Sequence, residues 1–283
     1  MDHRIVWIHG IGQYSPGYSV EWENTFNRYF HFSHSNYVEV CWDTVFHPIG
    51  GIRGLEVDEV TIELTPQEQL AEAEIRKDLQ AIVLARASAL ALSTVSARGR
   101  DEQVIEWSEF AGIAADGRRG LLPAWLSQPD AFLGDFVKYL VSRRVRHAVK
   151  EKAKERLRPL VSSEYSTSLV AHSWGTVVAY ETLLDLEAEP PSLQSTNLVT
   201  LGSPLWLVRH FLDERSGRKP GNVANWVSIH ARGDVIGSWL SPGFQVDKEF
   251  EVPNFGGGDA HGSYFAPGNE AVQRDIIVQT ILR

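Results

Sequence analysis

SLVAHSWGTVVAY, residues 168–180, places an apolar run before a serine and a second apolar run after it, with a glycine two positions beyond the serine. The stretch around 165–173 is rich in β-branched and apolar residues and predicts a buried strand. Residues 175–189 predict a helix. A strand that becomes a helix at Ser173 lifts the serine hydroxyl above the end of a parallel sheet, as the turn in G-x-S-x-G sequences does. Small residues must flank such a serine, because strand and helix backbones pass close together. Gly175 meets that need, and Ala171, in place of the first glycine, still allows the turn.

The same alternation extends outward. RIVWIHG (4–10) predicts a strand, HGIGQYSPG a loop, 19–32 a helix with Ser19 as N-cap, and YVEVCWD (37–43) a second strand. Strand, helix, strand in that order favours a parallel sheet with crossover helices. Strands are expected at 196–204 and 225–234, a hairpin or edge piece at 244–253, and a closing helix at 266–283. Residues 44–130 break the rhythm and read as a helical insertion within a single 1–283 domain. Its helix, 65–93, opens with Thr65, Pro66 and Glu68, a capping-box pattern, and Arg86 interrupts its apolar half. The insertion would serve either as a cap or lid or as a structural layer. Residues 130–160 predict one long helix, with eight Lys or Arg against two Glu over 143–158. Those charges suit either a solvated face, the plainer reading, or peripheral contact with an anionic membrane surface.

Composition narrows the function. A chain of 283 residues, 43% of them hydrophobic, can bury a sizeable core. A formal net charge of -9 disfavours nucleic acid as a partner. Cys41 is the single cysteine, so no internal disulfide forms, and no secretory signal or membrane-spanning run is read. A cytoplasmic protein is the default expectation. His31 and His34 lack a third metal ligand, and neither a P-loop nor a dinucleotide fingerprint is present, so no metal or cofactor is expected.

A serine nucleophile needs a base, and the base needs an orienting acid. After residue 211 the histidines are His230 and His261. His230 lies inside a predicted strand, whereas His261 lies in the Gly-rich loop FGGGDAHGSYF and is the better base. Asp234 ends the preceding strand and is the expected acid; Asp259 and Asp213 are rivals. The oxyanion of an acyl-transfer reaction needs donors. The Trp174 N–H and, from the loop after the first strand, the Ile11 N–H are expected to supply them, with Gly10 or Gly12 as alternatives for the second. His172 and Trp206 are further pocket candidates, and the Trp174 ring could line an acyl pocket beside them.

Taken together, IHGIG, AHSWGT, TLGSPL, HARGD and DAHGSYF, in this order, resemble the α/β-hydrolase superfamily, in particular its bacterial lipase and serine-esterase branches. The resemblance covers most of the chain except 44–130 and 205–225, and the first two strands of larger members are missing. It implies a mostly parallel central sheet with flanking helices and a cap-like insertion. It also implies that Ser173, His261 and Asp234 form a triad that cleaves a small-molecule or lipid ester through an acyl-enzyme. A thioesterase or acyltransferase would use the same residues, and a non-catalytic binding module would keep the fold alone.

Overall fold

The computed structural model describes residues 2–10, 14, 16–29, 33, 36–46, 63–96, 129–160, 165–189, 195–254, 260–266 and 268–281. Six strands form one sheet: β1 (Asp2–Ile8), β2 (Tyr37–Val40), β3 (Tyr165–His172), β4 (Ser195–Leu201), β5 (Val223–Ala231) and β6 (Lys248–Val252). Their order is β2-β1-β3-β4-β5-β6 and every neighbouring pair is parallel. Helices cover both faces, so the chain is of the α/β class. That is why the inner strands read as near-continuous apolar runs. Ile5 and Trp7 face one helical layer, while Val6 and Ile8 face the other.

The helices are α1 (Val20–Phe26), α2 (Pro66–Ser96), α3 (Pro129–Val141), α4 (Arg143–Leu157), α5 (Gly175–Ala188) and the short α6 (Leu205–Val208). The chain closes with the π-helical Ala271–Val278 and the α-helical Gln279–Ile281. Side chains of α2 to α6 join the core on one face, and Phe26 of α1 with Val272, Ile277 and Ile281 join it on the other.

One sequence expectation changes. The helix expected at 130–160 is two helices, because Ser142 leaves the helical region at φ -105 and ψ 112. Its hydroxyl accepts from the Val145 N–H and restarts the chain as α4. Of the two readings open for 244–253, the edge piece is the one observed: β6 lies at the sheet edge, parallel to β5. In the insertion, Thr65 and Glu68 do form the reciprocal capping box: the Thr65 N–H donates to Glu68 at 2.8 Å, and the Glu68 N–H to Thr65 at 3.2 Å. Leu79, Val83 and Ala87 of α2 are buried in the core, so this part of the insertion is a packed layer. Residues 97–128 lie outside the described residues. No helix of the described residues is long and apolar enough to cross a membrane.

The basic half of α4 is in part a solvated face, with Arg143, Arg144 and Arg156 exposed, and in part a set of buried ion pairs. Arg146, Lys150 and Lys154 are buried. Lys154 Nζ lies 2.8 Å from Glu151, 3.1 Å from Asp185 and 3.0 Å from Glu189, and Lys150 lies 3.0 Å from Asp185. Arg146 lies 3.0 Å from Asp213 and 3.7 Å from the buried Glu181, which also accepts from the Tyr139 hydroxyl. The three buried cations of α4 are thus spent on carboxylates of α5 and its neighbours, and Asp213 belongs to this cluster rather than to the serine. Removing one member of a buried ion pair leaves its partner desolvated and unpaired. Glu181→Ala is therefore expected to lower the free energy of urea unfolding by about 3 to 5 kcal/mol.

Candidate active site

The sheet has one topological switch point. From β1 the chain goes out to β2 and then returns to the other side of β1 as β3. In open parallel sheets the crevice at such a point, beyond the carboxyl ends of the strands, is where ligands bind. Ile8 pairs with Ala171 in the β1–β3 register, so the next residues of the two strands, His9-Gly10 and His172-Ser173, emerge side by side. A Cβ on Gly10 would stand 2.7 Å from the Ser173 Cβ, which places Gly10 directly against the serine.

Ser173 adopts φ 53 and is the single non-glycine residue with positive φ among those described. The left-handed region costs an L-residue roughly 1 to 2 kcal/mol. The turn demands it: the Ser173 N–H still closes β3 onto the Leu201 carbonyl at 2.8 Å, while its own carbonyl already accepts from the Thr176 N–H at 3.0 Å. Trp174 is the N-cap of α5, so its N–H is one of the donors the helix leaves unsatisfied. The Trp174 ring is only 2% exposed and packs against Phe136 and Tyr139, so it belongs to the core and not to an open acyl pocket.

His261 reaches the serine from the opposite side of the site. Its Nε2 is 2.7 Å from Ser173 Oγ, and its Nδ1 is 3.0 Å from both Asp234 oxygens. The carboxylate fixes the tautomer: Nδ1–H donates to Asp234, and Nε2 accepts from the Ser173 hydroxyl. Asp234 follows β5 in a tight turn and is 2% exposed. Its Oδ1 also accepts from the N–H groups of Ile236 and Gly237, each at 2.8 Å, and its Oδ2 from the Tyr264 hydroxyl at 2.7 Å. Burial alone would raise its pKa. The charge and hydrogen bond of His261, joined by Tyr264 and Gly237, outweigh burial and hold the carboxyl below its ordinary range. The side chains converge because residue 202 is glycine: at φ 58, a Cβ there would stand 2.9 Å from Asp234 Oδ2 and 3.1 Å from His261 Nδ1.

Two other histidines support the site. His172 donates Nε2–H to the His261 carbonyl at 2.8 Å, and its ring is surrounded by those of Trp22, Tyr264 and Phe265. Burial, then the nearby His261, push its pKa down to about 3, so it stays neutral. His9, fully buried, stacks between Tyr14 and Trp42 and donates Nδ1–H to the Gly10 carbonyl at 2.7 Å. Its Nε2 lies 3.1 Å from Asp43, which in turn accepts from the Tyr14 N–H at 2.7 Å. His9 and Asp43 thereby hold the two ends, Gly10 and Tyr14, of the loop expected to carry the second oxyanion donor.

Of the residues singled out from sequence, Ser173, His261, Asp234, Gly10, His172 and the Trp174 backbone come together. Trp206 is half-buried and donates to the Ile236 carbonyl at 2.6 Å, behind the acid. Ile11, Gly12, Asp259, His31 and His34 lie outside the described residues. His230 faces Glu251, 3.7 Å away, and Trp239. Among the described residues no cluster of three or more His, Cys, Asp or Glu is arranged to hold a metal ion. Tyr264, Asp43, Ile236 and Gly237 were missed. The one legible hint was Tyr264, three residues past His261 in the same loop.

Relief of left-handed strain at residue 173, about 1 to 2 kcal/mol, exceeds the extra unfolded-state entropy of glycine, about 0.4 to 1 kcal/mol. Ser173→Gly is therefore expected to melt above Ser173→Ala in calorimetry. His172 gives a second expectation. Between about pH 6.5 and pH 3 the unfolded chain protonates this residue and the folded chain does not. It therefore makes stability fall with acidification by about 1.4 kcal/mol per pH unit in that window. His172→Gln should flatten the pH dependence of the melting temperature there.

No family model, curated protein or solved structure matches the chain.

Proposed function

We propose that the chain is a serine hydrolase of carboxylic esters, with a fold of the α/β-hydrolase type. The observation that carries the reading is the continuous Ser173–His261–Asp234 hydrogen-bond chain, starting from a serine held at φ 53 beside the switch point of the sheet. Strain of this kind persists where the surrounding structure enforces it for a purpose. A binding module that merely kept the fold would have no need of a serine at that position bonded to a histidine and a buried acid.

In the proposed mechanism Ser173 Oγ attacks the ester carbonyl carbon as His261 Nε2 takes its proton. Asp234 stabilises the imidazolium without accepting that proton. The carbonyl oxygen becomes an oxyanion and accepts from the Trp174 N–H, with the Ile11 N–H as the proposed second donor. Collapse of this intermediate breaks the bond to the leaving alkoxide, which receives the proton from His261. Water, activated by His261, then releases the acid by the same route. The substrate is a small-molecule or lipid ester, and no cofactor is required for these steps. The lone Cys41 suits the cytoplasmic setting proposed with this activity.

A fluorophosphonate probe is expected to label the native chain and not Ser173→Ala, read by in-gel fluorescence. With p-nitrophenyl esters of graded chain length, Asp234→Asn should lower kcat by roughly three to four orders of magnitude. Asp259→Asn should leave it near native. Absence of labelling in the native chain would refute the hydrolase reading, and the reverse order of the two aspartate variants would refute the choice of acid.

A further inference from the structure

A side chain of α2 reaches the turn that carries Asp234. α2 lays Leu79, Val83 and Ala87 into the core, and Arg86, half-buried, stands on the flank of that stripe. By sequence Arg86 is only an interruption of an apolar run. In the structure its Nη2 donates to the Gly237 carbonyl at 2.7 Å, across 151 residues of chain, and its guanidinium carbon lies 4.7 Å over the centre of the Trp206 ring. Among the described residues no carboxylate lies in salt-bridge contact with it. Its hydrogen-bonding and stacking are therefore directed at the loop behind Asp234.

That loop is bonded on both sides. The Ile236 and Gly237 N–H groups point inward to Asp234 Oδ1. The Ile236 and Gly237 carbonyls point outward, to Trp206 Nε1–H and to Arg86. The peptide unit joining Ile236 to Gly237 thus accepts from Trp206 at its oxygen and donates to Asp234 at its hydrogen. Hydrogen bonds in series polarise one another, so the outer bond strengthens the inner one. Arg86 holds the next carbonyl and the Trp206 ring together, and Asp234 lies within electrostatic reach of its charge.

We propose that Arg86 is a positioning residue: from α2 it clamps, together with Trp206, the Asp234–Gly237 turn so that the carboxylate stays aligned with His261. This rests on the hydrolase reading above and makes the packed part of the insertion a support of the acid. The bonds run to the turn that carries the acid: Trp206 engages the peptide whose N–H holds Asp234, and Arg86 engages the carbonyl of the next peptide while stacking on Trp206. Removing the clamp lets the carboxylate drift, which misaligns His261 without touching the substrate site. Misplacement of this size lowers the chemical step and leaves ground-state binding alone.

The test compares Arg86→Met, Arg86→Lys, Trp206→Phe and the double variant Arg86→Met/Trp206→Phe in the full chain. Competent serines are counted by fluorophosphonate titration, so kcat is expressed per titrated site. A far-downfield proton resonance from His261 Nδ1–H, identified by its loss in Asp234→Asn, reports on the acid independently of turnover. Arg86→Met and Trp206→Phe are each expected to lower kcat per site on the order of tenfold with KM little changed, and to broaden that resonance. Arg86→Lys should recover part of the loss, and the double variant should lose less than the product of the two singles, because both hold one turn. Unchanged kcat per site and an unchanged resonance in both single variants would overturn the proposal. So would losses that follow the folded fraction alone. If Arg86→Met does not fold, Trp206→Phe carries the test. If the native chain takes no probe, the hydrolase reading fails, and the resonance alone still decides whether the clamp exists.

Discussion

The structure turns on a close approach between two backbones. β3 must end and α5 must begin within the space of Ser173 and Trp174 while both pack against the end of β1. A Cβ on Gly175 would overlap the His9 carbonyl, 2.2 Å away, so there is no room for a gradual bend. The turn is taken in one residue, and that residue is forced into the left-handed region. The same constraint turns the hydroxyl toward His261, leaves the Trp174 N–H without a helical partner, and brings Gly10 against the serine. The local strain and the Ser173–His261 contact therefore share one cause.

The acid presents the opposite problem. Asp234 is removed from water, and a buried carboxylate is costly unless hydrogen bonds and charge compensate it. Five hydrogen-bond contacts from His261, Tyr264, Ile236 and Gly237 supply that compensation. They also dictate its direction, because the two backbone N–H groups hold Oδ1 and Tyr264 holds Oδ2 while the His261 ring contacts both. Tyr264 donates its hydroxyl to Asp234 and accepts from the Ala231 N–H at 2.7 Å, tying the histidine loop to the end of β5. The imidazole is in this way oriented from behind by the carboxylate and from beside by His172.

Local signals carried the fold class and most of the site. Apolar runs with β-branched residues marked β1, β3, β4 and β5, since strands buried on both faces show no alternation to confuse with a helix period. Thr65, Pro66 and Glu68 marked the start of α2, because a capping box is a relation among residues three apart. Ser142 escaped notice as a break in the long helix. The apolar stripe runs on through 130–160, and a serine inside it carries no signal until its backbone is seen at ψ 112. The basic run of α4 hides its three buried cations, Arg146, Lys150 and Lys154, for a related reason. A count of charges says nothing of which carboxylates another helix will set beside them.

What the sequence by itself determined is the order and kind of the parts: a parallel α/β sheet, a serine on a strand-to-helix turn, a glycine loop before it, and an acid and a histidine after it. These follow from periodicity, turn chemistry and chain order, which act over a few residues. Only the tertiary structure decided the partnerships. His261 meets Asp234 across 27 residues and Ser173 across 88, and Arg86 meets Gly237 across 151. The cations of α4 meet carboxylates of α5 in the same way, across 35 residues in the case of Lys154 and Glu189. Such pairings are selected by burial and by the register of the sheet. A polar group taken out of water must find a partner, and which one lies within reach is a property of the packed chain alone.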